Sequence, residues 1–157
     1  MAAGKWKFYE NAKKYYGDGT FDFDLTTNMQ MALFLSTSNC NTLSVGTGVY
    51  GDLTNEVANA FGYTTGGIAL VGETYTQTGG VATFNCNPVV WTAAGGSITA
   101  RFAVIYINAT VNGIIKPLIC VSLLDTAPAD KTATDTNTFT VTPNASGIFT
   151  LSGATID

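Results

Sequence analysis

The chain has 157 residues, with 7 Lys plus Arg against 11 Asp plus Glu, a net charge of −4 and no histidine. One domain accounts for that length and has enough chain for a self-sufficient core. The acidic balance excludes a general nucleic-acid binder, which needs a basic footprint, and apolar runs such as FAVIYI at 102–107 are too short to span a bilayer. Only 11% of residues are charged, against roughly 25% in an average soluble domain, and Thr, Asn and Gly fill the gap. Such a surface suits secreted proteins, virion proteins and modules that pack into assemblies.

In chain order, residues 5–16 carry helical periodicity. Phe8, Tyr9, Ala12, Tyr15 and Tyr16 fall on one side, and Lys7, Glu10 and Lys14 fall largely elsewhere. Gly17 supplies a C-terminal stop, and Lys13 and Lys14 suit the dipole of the last turn. From Thr20 the period becomes two: TFDFDL predicts a strand with Phe21 and Phe23 inward and Asp22 and Asp24 outward. MQMALFLS, 29–36, is a second and more buried strand. LTNEVANAF, 53–61, predicts a short helix capped by Thr54, with Glu56 in its first turn and Gly62 at its end.

After the turn-rich TTGG at 64–67, IALVGETYTQ and VATFNC read as strands joined through Gly79-Gly80. SITARFAVIYINA, 97–109, predicts the strongest strand, with Ile98, Ala100, Phe102, Val104 and Tyr106 on one face. Arg101 is expected at an edge or beside a carboxylate. KPLICVSLL, 116–124, pairs with that strand across Asn112-Gly113. A polar loop at 125–137, a strand FTVTP and a last strand GIFTLSGATI complete the chain. These short strands predict a mainly β fold, an antiparallel sandwich of jelly-roll-like or barrel-like form. All 157 residues belong to one β domain, with 1–19 as a helical arm and 20–157 as the sandwich.

The chemistry on offer is sparse. Without histidine the commonest general base and metal ligand are missing, and so is every Ser-His or Cys-His arrangement. Asp22 and Asp24, with Asp18 nearby, form the one carboxylate group worth weighing for calcium or glycoside hydrolysis, yet an alternating acidic face is ordinarily the solvated one. Gly46-Thr-Gly48-Val-Tyr-Gly51 matches G-x-G-x-x-G, but the flanking STSNCNTLSV is polar and no βαβ unit surrounds it, so the glycines read as loop residues. Cys40, Cys86 and Cys120 lack zinc spacing and read as buried free thiols. No apolar segment of a signal peptide follows the basic N-terminus, so export is not expected and the Asn108 and Asn144 sequons read as chance matches. The expectation is a non-enzymatic chain with no catalytic residue, metal or cofactor.

The succession KWKFYENAKKYYGDGTFDFD, MQMALFLS, LTNEVANAFGYTTGG, VVWTAAGGSITARFAVIYI, KPLICVSLLDT and TVTPNASGIFTL resembles a family of small tailed-bacteriophage virion proteins encoded in the head module. The resemblance spans nearly the whole chain, apart from the Gly- and Asn-rich stretch at 38–51. It implies a structural role, capsid decoration or cement, with the major capsid protein and neighbouring copies as partners, a homo-oligomer in the particle and a place on the capsid surface. A tail component, a head-fibre or vertex part, and a carbohydrate-binding module using Trp91, Tyr63 or Tyr75 are the alternatives. Neither nucleic acid nor membrane is an expected partner.

The opening stretch supplies the candidate partner interface: Lys5, Trp6, Lys7, Phe8, Tyr9, Tyr15 and Tyr16. Two placements stay open. An amphipathic terminal helix commonly covers its own sheet, which would leave Trp6 and the lysines to meet a partner. Alternatively the whole aromatic face docks on a neighbour, as anchors ringed by a polar rim.

Overall fold

The computed structural model describes residues 4–23, 28–125 and 130–153. The fold is mainly β, built from antiparallel sheets with one short helix near the N-terminus. The principal sheet has five strands in the order β1 (Trp6–Phe8), β11 (Leu118–Leu123), β8 (Phe102–Ile107), β2 (Met29–Phe34) and β3 (Ile68–Ala69). A second sheet orders β14 (Phe149–Ser152), β5 (Val81–Asn85) and β4 (Thr74–Thr78). Three ribbons complete it: β6 (Val89–Thr92) with β13 (Thr138–Val141), β7 (Ile98–Ala100) with β12 (Lys131–Ala133), and β9 (Thr110–Val111) with β10 (Ile114–Ile115).

β8 is central in the principal sheet, and all six of its residues are buried. Its apolar residues on both pleat faces therefore have something to cover. Phe8, Cys120, Ile105, Met31 and Ile68 stand on one rung and share a face. That face looks toward the second sheet, because Phe8 meets Phe149 edge-on with ring centroids 4.7 Å apart. Phe23 fills the space between, within 5.3 Å of Phe84 and 5.0 Å of Phe149. The opposite face carries Tyr106 and Phe34, and the segment around Tyr50 lies over it, with Tyr50 stacked on Tyr106 at 4.3 Å. This is the sandwich-like layering the strand pattern predicts, with an irregular segment closing one side.

Both hairpin turns form as predicted. Gly79 and Gly80 have φ of 59° and 83°, Asn112 and Gly113 48° and 80°. Two successive positive φ values are what a tight two-residue hairpin turn requires, and Gly and Asn take them at least cost.

Elsewhere the boundaries differ from expectation. The helix is not 5–16: α1 spans Glu10–Gly17, and Trp6–Phe8 forms a strand on β11. Tyr9, extended at φ −64° and ψ 152°, separates the two. WKF satisfies a period of two as well as a helical one, and the unpaired side of β11 decides between them. The expected strand at 20–25 is absent over its described part, 20–23. Its burial alternation survives, with Phe21 and Phe23 inside and Asp22 outside, while Asp24 lies outside the described residues. Residues 53–61 form no helix. Asn55 and Phe61 both take φ near 55°, and Glu56 makes a bridge to Phe34. The long strand at 97–109 breaks at half-buried Arg101, so that β7 and β8 belong to different sheets. Arg101 N–H donates to Phe34 O, and Leu124 N–H donates to Arg101 O, which turns the chain at that point. The predicted loop at 125–137 holds β12, IALVGETYTQ divides into β3 and β4, and β6 is a strand the sequence reading had not assigned.

Candidate functional site

β1 lies at the rim of the principal sheet, and pleat alternation sorts its side chains. Trp6 and Phe8 turn toward the second sheet and are half-buried; Lys5 and Lys7 are exposed on the other side. Tyr9 does not share that surface. It is 1% exposed, and its hydroxyl donates to Cys40 O at 2.7 Å. Burial drives its phenol far above the usual tyrosine value. On α1, Ala12 is buried, Tyr15 packs partly against the core, and Tyr16 keeps 37% of its surface exposed. Tyr16 shares a 3.0 Å hydrogen bond with the Tyr75 hydroxyl.

The seven candidate interface residues are thus divided. Tyr9 is core, Tyr15 is mostly so, and Lys5, Trp6, Lys7, Phe8 and Tyr16 reach the surface around one rim. Two hollows flank β1. A groove of about 510 Å³ runs beside Gly4, Lys5, Trp6 and Phe8 along the wall at 144–150, where Phe8 touches Phe149. On the other side Lys5, Lys7, Asn41 and Arg101 surround a hollow of about 260 Å³ floored by Phe102, Val121 and Leu123.

The other sequence candidates resolve differently. In the G-x-G-x-x-G segment the loop amides are taken by the Asp52 carboxylate. Its Oδ2 accepts from Thr47 N–H at 2.7 Å, Val49 N–H at 3.2 Å and the Thr47 hydroxyl at 3.1 Å. Partial burial raises the Asp52 carboxyl, but the amides of Val49, Thr47 and Gly48 outweigh that and hold it below the usual carboxylate value. The chain's own acid satisfies the loop amides, so a second anion there would meet a like charge. Asp18 serves locally too, accepting from Thr20 N–H at 3.0 Å; hydrogen bonding from Thr20 lowers its pKa. No group of three or more Cys, Asp or Glu among the described residues is placed to hold a metal. Of the aromatics considered for glycan binding, Tyr63 and Trp91 are buried, and only Tyr75 is partly exposed. Cys40, Cys86 and Cys120 are free and buried.

A cluster that sequence reasoning missed surrounds Glu56. Its Oε1 accepts from Tyr63 OH and from Gly66 N–H, each at 2.6 Å, and its Oε2 accepts from Tyr50 OH. The Tyr63 oxygen also accepts from Leu33 N–H at 2.9 Å, and Tyr106 OH lies 2.9 Å from both Gln30 Oε1 and Gly66 O. Burial, then Glu56, pushes the Tyr50 and Tyr63 phenols far above the usual value; burial and then Glu56 push Tyr106 up to about 12. Every donor around the carboxylate is satisfied within the chain, and the arrangement anchors 50–66 onto the sheet. The signal available in the sequence was an acid at 56 between tyrosines at 50 and 63, which a helical reading of 53–61 obscured.

No protein-family model, no curated protein and no solved structure matches this chain. The functional reading therefore rests on its residues and on the resemblance given above.

Proposed function

We propose that the chain is a structural protein of a bacteriophage particle, a decoration or cement module bound to the outer surface of the head beside the major capsid protein and copies of itself. The observation that carries this reading is the rim at β1, where lysines and half-buried aromatics alternate on an edge strand of an otherwise well-buried sheet. The unpaired edge, the half-buried aromatics and the bordering lysines support a docking role for this rim. The low charge of the remaining surface suits close packing of neighbours, since desolvating like charges is costly. The resemblance to head-module virion proteins supports the same role.

The test is the copy number of the chain in purified particles, by mass spectrometry relative to the major capsid protein. Hundreds of copies are expected. A few to a dozen would move the chain to the tail or a vertex, and its absence from particles would overturn the reading.

A further inference from the structure

We propose that β1 is a strand-addition site for an extended acidic segment of a partner protein, with acidic and apolar residues alternating. The hydrogen-bond phase of β1 gives the first part of the argument. Tyr9 N–H donates to Ile119 O at 3.1 Å, and Lys7 stands opposite Val121. Antiparallel alternation then directs the N–H and C=O groups of Trp6 and Phe8 away from β11, toward the open edge. Among the described residues no backbone hydrogen bond joins β1 to the wall at 144–150, whose Ile148 N–H is committed to Phe84 O. An added strand would find its partners at Trp6 and Phe8.

The two hollows set the side-chain pattern. A strand beside β1 turns alternate residues into the groove where Trp6, Phe8, Ile148 and Phe149 stand among Lys5, Asn144, Ser146 and Thr150, which suits apolar side chains bordered by polar groups. Its other residues emerge beside exposed Lys5 and Lys7, next to the hollow that Arg101 borders. Lys5 and Lys7, two of the 7 basic residues of a net-acidic chain, stand together here, and cross-strand pairs of opposite charge stabilise a sheet where like pairs destabilise it. The same rule disfavours β1 of a second copy as the occupant, because that pairing sets lysines among lysines. Charge complementarity to Lys5 and Lys7 thus favours an acidic strand of a different chain as the occupant. The proposal rests on the docking reading for where that chain is found, but its recognition chemistry belongs to the isolated protein.

The isolated chain can be titrated with four synthetic peptides of about ten residues, followed by amide NMR shifts: alternating Val and Glu, alternating Val and Lys, and two Val/Glu peptides N-methylated either at the Val amides or at the Glu amides, so that one edge or the other cannot donate. Saturable binding of the Val/Glu peptide is expected, with the largest shifts at Trp6 and Phe8. The Lys5→Glu/Lys7→Glu protein should bind about tenfold more weakly, and the exposed-site double variant Lys5→Gln/Lys7→Gln should fall between. The peptide methylated on its pairing edge should not bind. No saturable binding, equal binding of the lysine peptide, or unimpaired binding of both methylation patterns would each overturn strand addition. Absence of the protein from particles would sink the virion reading and leave this result standing.

Discussion

At Glu56 one carboxylate gathers the Tyr50 and Tyr63 hydroxyls and the Gly66 amide, while Lys116 Nζ lies 5.6 Å from the Tyr50 ring centre. Glu56→Gln keeps the size but swaps one acceptor oxygen for a donor that faces phenols already donating. Leaving such groups mismatched should cost about 1–3 kcal/mol, read as a lower urea midpoint; an unchanged midpoint would show that the cluster anchors nothing. The thiols give a second prediction at this scale. Burial pushes Cys40 up to about 11 and Cys86 to about 12, and raises Cys120 as well. Inaccessible, protonated thiols react poorly, so an aromatic disulfide reagent at pH 8 should label none of the three in the native protein and all three after unfolding. Rapid labelling of the native chain would contradict this packing.

Among the elements, β8 shows how burial on both faces follows from sequence, since Phe102 alternates with Ala103 and Val104 with Ile105. Phe102→Ala should cost about 3–5 kcal/mol, measured by chemical denaturation, and an unchanged melting temperature would show that its ring is not part of the core. β1 and α1 support a different prediction. Deleting residues 1–16 strips β11 of its outer partner and removes Tyr9 and Ala12 from the core, so the remainder should aggregate or melt far lower. A folded remainder would mean that the arm is dispensable to its own domain.

What the sequence made legible follows the same division. The hairpins at Gly79-Gly80 and Asn112-Gly113 were readable because their turn chemistry is local. The strands MQMALF and FAVIYI were readable because their hydrophobicity exceeds what a helix stripe or a loop requires. WKF was not, because three residues fit either period until β11 offers an edge. NEVANAF was not, because its acid is spent on tyrosines that come from both sides of it in the chain. For the rim, the sequence named Lys5, Trp6, Lys7 and Phe8 as surface candidates but attached them to a helix, which hid the open backbone edge at Trp6 and Phe8.

Over the whole molecule, two sheets and an irregular cover enclose ionisable groups that are neutral when protonated. In an unfolded chain thiols titrate near 9.0 and phenols near 10.0. In the fold, burial raises all three thiols together with Tyr9, Tyr50, Tyr63 and Tyr106. The native state therefore binds more protons than the unfolded state at alkaline pH, and stability falls as pH rises through that range. This contribution is fully present below about pH 9 and is lost progressively above it, thiols first and phenols next. Urea midpoints measured from pH 7 to 11 should be level at first and then decline. Replacing Cys40, Cys86 and Cys120 by Ala lowers the overall midpoint by opening cavities, but it removes the first limb, so the decline should begin about one pH unit later. A midpoint that stays flat or rises to pH 11 would mean that these groups ionise as freely in the fold as in the open chain, and that the enclosure of the tyrosine cluster and the thiols is not maintained in solution.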